Sequence, residues 1–391
     1  MSVTKKLFED YVLNTYNRRG PVFVKGKGSW LWDEQGKKYL DLFPGWGVSV
    51  LGHCHPRIVK ALIVQAKTLI HLPNNLFFSE QAVLAKEIVK RTFNSKVFFS
   101  NSGAEANEGA IKLSRLYGKG TRHEIIVMKD SFHGRTFGAL SATGQAKYKE
   151  PFKPILETFR EVEFNNIAEL KAAVNPKTVG ILLELVQGEG GINPATRAYI
   201  DTILALCREN DLLLMVDEVQ TGMGRLGKLF AFELYGITPD IMTISKGLGA
   251  GVPIGAIVVN KRIADIIKPG MHASTFGGSP LVTRVSLEAF KVIKEEKILQ
   301  NVKKMGAYLK TRLNKMRDKF SFIKEVRGEG LMLGVELECK TFPIFEEVFA
   351  RGVIINSTHD TVLRIMPALN VTHKEIDHGL RVIEEVFKGV K

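Results

Sequence analysis

Short, continuous apolar runs recur through the middle of the chain. They are KVFFS (96–100), EIIVM (124–128), VGILLELV (179–186), LLLMVDEV (212–219), DIMTIS (240–245) and GAIVVN (255–260). These runs lack the alternation of polar and apolar positions that a strand with one wet face shows. They therefore predict strands that are covered on both faces, as in a parallel sheet.

Helical spacing separates these runs. From residue 197 to 210, Ile200, Ile203, Leu204 and Cys207 follow the i, i+3, i+4, i+7 spacing of a helix with one buried face. A second helix opens at Pro56, and its apolar positions continue to residue 70. The alternation of strands and helices predicts a large, doubly wound α/β domain over residues 55–279.

The pattern changes after residue 280. A long helical stretch over 281–320 precedes short strand-like segments and a last helix, which opens at the capping box formed by Thr372 and Glu375. We predict a smaller α+β domain over residues 280–391. Residues 1–54 contain the strand-like sequence GSWLWDEQGKKYLDLF and are expected to pack with this smaller domain.

Composition supports a folded, globular protein. The 391 residues are 45% hydrophobic and 25% charged, so disorder is not expected. The three cysteines are far apart in sequence, which favours a reduced, cytoplasmic protein. The chain begins without the apolar core of a secretory signal, and its apolar runs are far shorter than the roughly 20 residues of a membrane span, so no membrane partner is predicted.

The net charge of +14 raises the alternative of a non-enzymatic nucleic-acid binder. Half of the net positive charge comes from residues 291–319, which contain ten Lys and Arg residues but only three Asp and Glu residues. The same stretch spaces apolar residues at helical intervals, so its lysines are expected on the solvent face. The charge therefore does not favour a nucleic-acid partner.

Lys246 and Asp217 follow two of the predicted buried strands. An isolated lysine is usually solvated, and an isolated aspartate after a strand usually caps a turn. Together, at the edge where open α/β sheets bind ligands, the two side chains suit pyridoxal phosphate (PLP). The lysine can form a Schiff base with this cofactor, and the carboxylate can hold its pyridine nitrogen protonated.

The sequence NSGAEA (101–106) joins a predicted strand to a predicted helix. Free amides at the helix N-terminus, with the small Gly103 allowing close approach, can bind a phosphate. The alternative is an ordinary capped turn. Because a phosphate site, a lysine and a carboxylate are predicted at one sheet edge, PLP is the favoured cofactor.

Two other motifs have the form of binding sites. GMGRLG (222–227) has the form G-x-G-x-x-G, but it does not lie directly between a strand and a helix, so dinucleotide binding is not favoured. His53, Cys54 and His55 precede the helix that opens at Pro56, which favours a structural turn over a metal site.

Arg364 lies in an apolar strand and requires a carboxylate partner, from the protein or from a ligand.

At this point the motifs resemble those of the class III PLP-dependent aminotransferases. The resemblance runs from GHCHP (52–56) through NSGAEAN, SFHGRT, LVQGEGG, DEVQTGMGR, SKGLGAGVPIGA, HASTFGGSPL, VRGEGLMLG and LRIMPAL. It implies PLP fold type I, in which a large domain with a mainly parallel sheet is joined to a smaller α+β domain. It also implies a homodimer with composite active sites.

The resemblance implies a role for each matching residue. Lys246 would carry the cofactor, Asp217 would pair with its pyridine nitrogen, and Phe132 would stack on its ring. The phosphate would be bound by Gly103 and Ala104 and by Thr275 of the partner subunit. Further expected cofactor contacts are Ser102, His133, Val219 and Gln220.

For the substrates, the resemblance implies that Arg135 and Arg364 hold carboxylates and that Ser274 lies near the acylated donor. Glu189 would pair with Arg364 in one half-reaction and release it for the dicarboxylate in the other. Trp46 departs from the smaller residue or tyrosine usual at its position, and it is expected to line the donor pocket.

The implied reaction is transfer of an amino group from N-acetylornithine to 2-oxoglutarate, as in arginine biosynthesis. Ornithine, succinylornithine, 4-aminobutyrate and acylated lysine remain alternative donors. A same-fold aminomutase, which needs no external acceptor, is a further alternative.

Overall fold

The computed structural model describes residues 2–390. The helices are α1 (Val3–Tyr11), α2 (Pro56–Ala66), α3 (Ser79–Val89), α4 (Gly103–Tyr117), α5 (Phe137–Ala142), α6 (Ala146–Lys149), α7 (Ile167–Ala173), α8 (Arg197–Glu209), α9 (Phe232–Tyr235), α10 (Lys261–Ala264), α11 (Pro280–Glu295), α12 (Ile298–Arg317), α13 (Phe342–Ala350) and α14 (His373–Phe387). Short 3-10 turns cover Pro44–Gly47, Glu150–Phe152 and Lys246–Leu248.

The strands form three larger sheets and one two-stranded ribbon. They are β1 (Phe23–Lys27), β2 (Trp30–Asp33), β3 (Lys38–Asp41), β4 (Ser95–Ser100), β5 (Glu124–Met128), β6 (Phe159–Val162), β7 (Thr178–Leu183), β8 (Val186–Gln187), β9 (Asn193–Pro194), β10 (Leu213–Asp217), β11 (Ile241–Ile244), β12 (Gly255–Asn260), β13 (Ile323–Glu329), β14 (Met332–Leu337), β15 (Val353–Ile354), β16 (Asn356–Thr358) and β17 (Val362–Ile365).

The central sheet has seven strands in the order β4-β12-β11-β10-β7-β5-β6. Each of the six predicted apolar runs forms one of its strands. The interior pairs of β11, β10, β7, β5 and β6 are parallel, whereas β12 runs antiparallel to both β11 and β4. The predicted fold class, with a mainly parallel sheet, is confirmed.

The central strands are apolar along their whole length because helices cover both faces. In β5, Ile125 and Val127 pack in the cluster that contains α4, while Ile126 packs in the cluster that contains α8. The edge strand β6 was not predicted. Its middle residues, Arg160 and Glu161, are exposed, so it has no continuous apolar run.

Two helix predictions need correction. The predicted helical stretch over 281–320 is two helices, α11 and α12, because Lys297 between them adopts a left-handed backbone conformation with φ 54°. The helix that opens at Pro56 ends at Ala66 rather than near residue 70. There the Gln65 side chain donates a hydrogen bond to the carbonyl of Leu69, at 2.9 Å.

The C-terminal part of the chain contains the antiparallel sheet β13-β14-β17-β16. The N-terminal strands β1, β2 and β3 form another sheet, in which β3 pairs in parallel with β15. The predicted capping box of α14 is present, since Thr372 Oγ1 accepts from the Glu375 amide and the Thr372 amide donates to Glu375. Within residues 2–390, no helix is long and apolar enough to span a membrane.

Candidate active site

A cavity of about 490 Å³ opens at the edge of the central sheet where its parallel strands end. Parallel strands bring the residues that follow them to this one edge. The lining residues used below are Ser102, Gly103, Ala104, Asn107, Phe132, His133, Arg135, Glu184, Glu189, Asp217, Val219, Gln220 and Lys246.

Lys246 stands at the start of the short turn that follows β11. Its backbone is in the left-handed region, with φ 40°, a conformation that a residue with a side chain adopts at a cost. Burial lowers the pKa of Lys246, against the opposing effect of the Glu189 charge. A lysine of lowered pKa has a larger fraction of neutral amine, which is the form that acts as a nucleophile or a base.

Asp217 ends β10 and is 3% exposed. Its Oδ1 accepts a hydrogen bond from the Val219 amide at 2.9 Å. Its Oδ2 accepts from Asn107 Nδ2 at 2.8 Å and lies 2.8 Å from His133 Nδ1. These contacts fix the carboxylate toward the cavity in a buried setting where it can bind a protonated ring nitrogen.

The N-terminus of α4 forms another wall of the cavity. Ser102 caps the helix through Oγ, which accepts from the Glu105 amide at 3.2 Å. Within residues 2–390, the amides of Gly103 and Ala104 have no hydrogen-bond acceptor. A Cβ atom at Gly103 would lie 2.7 Å from Val219 Cγ1, so this close approach requires glycine. Such free amides at a helix N-terminus suit a phosphate group.

Phe132 and His133 follow β5. The Phe132 amide donates to Glu184 Oε2 at 3.1 Å, and the Phe132 ring meets Tyr148 edge to face. Arg135 is exposed at the mouth of the cavity, with its guanidinium 3.8 Å from the centroid of the Tyr148 ring. Arg135 is therefore accessible to a carboxylate that enters from solvent.

Arg364 lies on β17 and is fully buried. Its Nη1 donates to Glu189 Oε1 at 2.7 Å and to Gln220 Oε1 at 3.3 Å. Burial acts to raise the pKa of Glu189, but the charge and hydrogen bond of Arg364 outweigh burial and hold this pKa below its usual value. The expected carboxylate partner of Arg364 is thus a protein side chain that itself lines the cavity.

Arg364 itself is not part of the cavity lining, and neither are the last three predicted site residues, Trp46, Ser274 and Thr275. Trp46 is 53% exposed, has φ 55° and meets the ring of Phe43 edge to face. Ser274 accepts a hydrogen bond from Asn101 Nδ2 at 3.2 Å, close to the start of α4. Thr275 beside it is exposed. The roles of these three residues stay predictions.

Two polar residues of the site were missed in the sequence. Asn107 donates to Asp217 and to the His133 carbonyl, and its Oδ1 accepts from Thr243. Glu184 accepts from the amides of Phe132 and Gly188, and burial raises its pKa to about 7. Each interrupts an apolar element with a polar group, a pattern that could have drawn attention to them.

The residues present fit PLP. The Nε2 atom of His133 is buried without a hydrogen-bond partner among the described residues, and the amides of Gly103 and Ala104 are free in the same cavity. Lys246 and Asp217 supply an amine and a carboxylate there. By contrast, GMGRLG (222–227) forms a series of turns, and no helix begins at Gly227.

Comparisons with known proteins identify the family of the chain. The sequence model of the family described as aminotransferase class-III matches residues 15–387. The chain is 47% identical over 386 residues to the acetylornithine aminotransferase of Caldanaerobacter subterraneus subsp. tengcongensis, covering 97% of this chain and 98% of that protein.

Solved structures show the same fold over nearly the whole chain. The ornithine aminotransferase of Toxoplasma gondii, with PLP at partial occupancy in its active site, has a TM-score of 0.94 and 31% identity, covering 99% of this chain and 94% of that one. The N-acetylornithine aminotransferase of Stenotrophomonas maltophilia has a TM-score of 0.85 and 33% identity, covering 98% of both chains. The chain belongs to the class-III aminotransferases, and its cofactor is PLP.

Proposed function

We propose that the protein transfers the side-chain amino group of N-acetylornithine to 2-oxoglutarate, giving N-acetylglutamate semialdehyde and glutamate, as a step of arginine biosynthesis. The observation that carries this proposal is the ion pair between Glu189 and Arg364 beside Lys246. An arginine that a protein carboxylate neutralises suits two different substrates. The donor reacts through its side-chain amine and needs no positive charge beside the reacting carbon. The acceptor is a dicarboxylate and needs such a charge to bind one of its carboxylates.

The roles of the chain's own groups follow from this proposal. When bound, PLP supplies an electrophilic carbon and a protonated pyridine ring that takes up electron density. Lys246 is the residue that would hold the cofactor, and its free Nζ would move a proton at the donor carbon that bears the amine. Asp217 would keep the ring nitrogen protonated, and Asn107 and His133 hold the carboxylate of Asp217 in place.

Recognition of the two substrates is assigned to few residues. Arg135, at the cavity mouth, would bind the carboxylate of each substrate that lies far from the reacting carbon. Arg364, closer to Lys246, would bind the carboxylate of 2-oxoglutarate that lies next to the reacting carbon, after Glu189 turns away. Ser274 and Trp46 are proposed to contact the acylated end of the donor.

The proposal includes a homodimer in which Thr275 of the partner subunit helps to bind the phosphate. It also includes a cytoplasmic location, which the three free cysteines support, and the division into three parts, residues 1–54, 55–279 and 280–391.

Ornithine is the second candidate donor, because the ornithine aminotransferase of Toxoplasma gondii is similar over almost the whole chain.

A donor panel tests the function. We expect the holoenzyme to show a kcat/KM for N-acetylornithine at least tenfold above that for ornithine, succinylornithine, 4-aminobutyrate and N-acetyllysine, with 2-oxoglutarate as acceptor. Tenfold corresponds to about 1.4 kcal/mol of transition-state binding.

Lys246→Ala is the control for this panel. It should abolish turnover and the visible absorbance of the enzyme-bound cofactor. A tenfold preference for another donor would replace the proposed substrate. Turnover that survives in Lys246→Ala would contradict the proposed chemistry.

A further inference from the structure

The short strand β16 lies beside the strand that carries Arg364. In the antiparallel register of β16 and β17, Asn356 stands directly opposite Arg364. On the other side of Arg364, Gly334 of β14 occupies the opposite position. Directly opposite residues share one face of a sheet, so Asn356 is the cross-strand neighbour of the Arg364 side chain.

Asn356 holds the edge of the guanidinium that points away from Glu189. Asn356 Oδ1 accepts from Arg364 Nε at 3.1 Å and from Nη2 at 2.9 Å. The ring of Phe43 covers one face of the guanidinium, with its centroid 4.6 Å from Cζ. Nη1 is thereby left to Glu189 and Gln220, both of which line the cavity.

A second residue of β16 fixes the main chain of Glu189. Thr358 lies two positions after Asn356 and therefore on the same face of the strand. Its Oγ1 donates to the Glu189 carbonyl at 3.0 Å. Two residues further along, Arg327 Nε donates to the Gly191 carbonyl, also at 3.0 Å. The segment that bears Glu189 is thus tied to the same sheet as Arg364.

The side chains of the ion pair differ in their freedom to move. The side chain of Arg364 is 0% exposed, whereas that of Glu189 is 20% exposed and lines the cavity. Arg364 keeps its two hydrogen bonds to Asn356, its bond to Gln220 and its contact with Phe43 if Glu189 leaves, because none of these involves Glu189. Glu189 keeps its main-chain bond to Thr358 when its side chain turns.

We propose that Asn356 and Thr358 are positioning residues of the Glu189–Arg364 pair. Asn356 holds Arg364, and Thr358 holds the main chain of Glu189, so that a dicarboxylate displaces the Glu189 side chain alone. The inference rests on the proposed function, since it assigns Arg364 to a carboxylate of the acceptor. It adds that Asn356 determines how well that carboxylate is bound, and that Thr358 determines how well Glu189 pairs with Arg364 when the donor is bound.

The test measures binding of glutarate, a dicarboxylate that cannot be transaminated, to the holoenzyme by calorimetry. In Asn356→Ala, we expect the Kd for glutarate and the KM for 2-oxoglutarate to rise at least tenfold. The KM for the donor should stay within threefold of wild type, because the donor does not use the freed edge of Arg364. Asn356→Asp keeps an acceptor but adds a negative charge against Arg364, which competes with a bound carboxylate for the guanidinium, so it should also weaken glutarate binding while retaining the fold.

Ser357→Ala is the matched control. Ser357 lies between the two positioning residues, and its Oγ contacts Thr341 Oγ1 at 2.7 Å on the other face of the strand. This variant loses a hydrogen bond from the same strand without touching Arg364, so it should leave glutarate binding unchanged. Equal weakening in Ser357→Ala and Asn356→Ala would overturn the proposal, as would wild-type binding in both Asn356 variants.

Thr358→Val removes the hydroxyl at nearly constant volume. It frees the main chain of Glu189 but not Arg364, so we expect the donor KM to rise at least threefold with an unchanged Kd for glutarate. The opposite split would contradict the assigned role of Thr358. If wild type reacts with 2-oxoglutarate but not with N-acetylornithine, the proposed donor is wrong, whereas the glutarate measurements still test Asn356.

Discussion

Two buried carboxyl groups and one half-buried carboxyl group near the cavity show how individual contacts determine proton affinity. Burial raises the pKa of Glu184 and of Glu218 to about 7, because neither has a cationic side chain bonded to it. Burial also acts to raise the pKa of Glu189, yet Arg364 and Lys246 leave it below its usual value. Only Glu189 therefore remains ionised throughout the neutral range, as a neutralising partner of Arg364 must.

At the residue scale, Glu218→Gln should flatten the pH dependence of stability. The folded-state pKa of Glu218, about 7, exceeds the ordinary value of 4.5, so ionisation costs stability. That cost grows as the pH rises from 4.5 and is complete above about 7. Between pH 5 and 8, wild type should lose on the order of a few kcal/mol of unfolding free energy relative to the variant.

Urea unfolding of the two proteins at several pH values measures this difference. The absolute stability of the variant will also reflect the hydrogen bonds that Glu218 accepts from the amides of Ala231 and Phe232. The change in its unfolding free energy with pH does not depend on the loss of these hydrogen bonds. The exposed Glu209→Gln is the control and should follow wild type. Parallel pH curves for wild type and Glu218→Gln would show that Glu218 ionises normally.

At the scale of elements, the site depends on how close the start of α4 comes to the end of β10. Gly103 packs on Val219, and the Val219 amide in turn binds Asp217 Oδ1 at 2.9 Å. The phosphate cradle and the ring-nitrogen partner are thus joined through one contact. A change of a few tenths of an ångström in that contact displaces one group or the other.

Gly103→Ala should consequently weaken cofactor binding. The added Cβ would lie 2.7 Å from Val219 Cγ1, which forces a shift and costs about 1–3 kcal/mol. We expect the Kd for PLP, measured by equilibrium dialysis, to rise about tenfold or more. Gly389→Ala is the control, because its added Cβ would meet its nearest neighbour at an ordinary 3.5 Å. Unchanged PLP affinity in Gly103→Ala would show that α4 and Val219 can move apart to accommodate a methyl group without disturbing the phosphate site.

At the scale of the whole molecule, the single chain leaves the segment around Thr275 exposed. Thr275 is exposed, and the neighbouring Phe276 is 64% exposed. Phe77 and Leu76 are exposed apolar side chains as well. Large exposed apolar side chains of this kind are typical of a surface that a second subunit covers.

A hybrid dimer distinguishes a composite site from a site within one chain. Lys246→Ala and Thr275→Glu should each inactivate the homodimer, the second by repelling the phosphate. If Thr275 serves the partner's site, a hybrid with one protomer of each kind has one intact site and should show about half the wild-type activity. An inactive hybrid would place Thr275 in the site of its own chain.

Much of the fold was predictable because it follows from local patterns. The apolar runs of the central strands, the spacing in α8 and the capping box of α14 each lie within a short segment, and the structure confirms them. Strand β6 and the break at Lys297 were not predicted. Strand β6 lies at the edge of the sheet, and the break depends on the backbone conformation of Lys297 alone.

The sequence by itself determined that Lys246, Asp217 and the start of α4 meet at one sheet edge, because each follows a buried strand directly and parallel strands end together. Only the tertiary structure decided their partners. Asn107 and Asp217 are 110 residues apart. Arg364 and Glu189 are 175 residues apart, and only the family resemblance, not the pattern of the chain, suggested their pairing. No local pattern encodes such contacts, since they arise where separate elements pack together. Asn356 belongs with them, because its position opposite Arg364 depends on the register of β16 and β17.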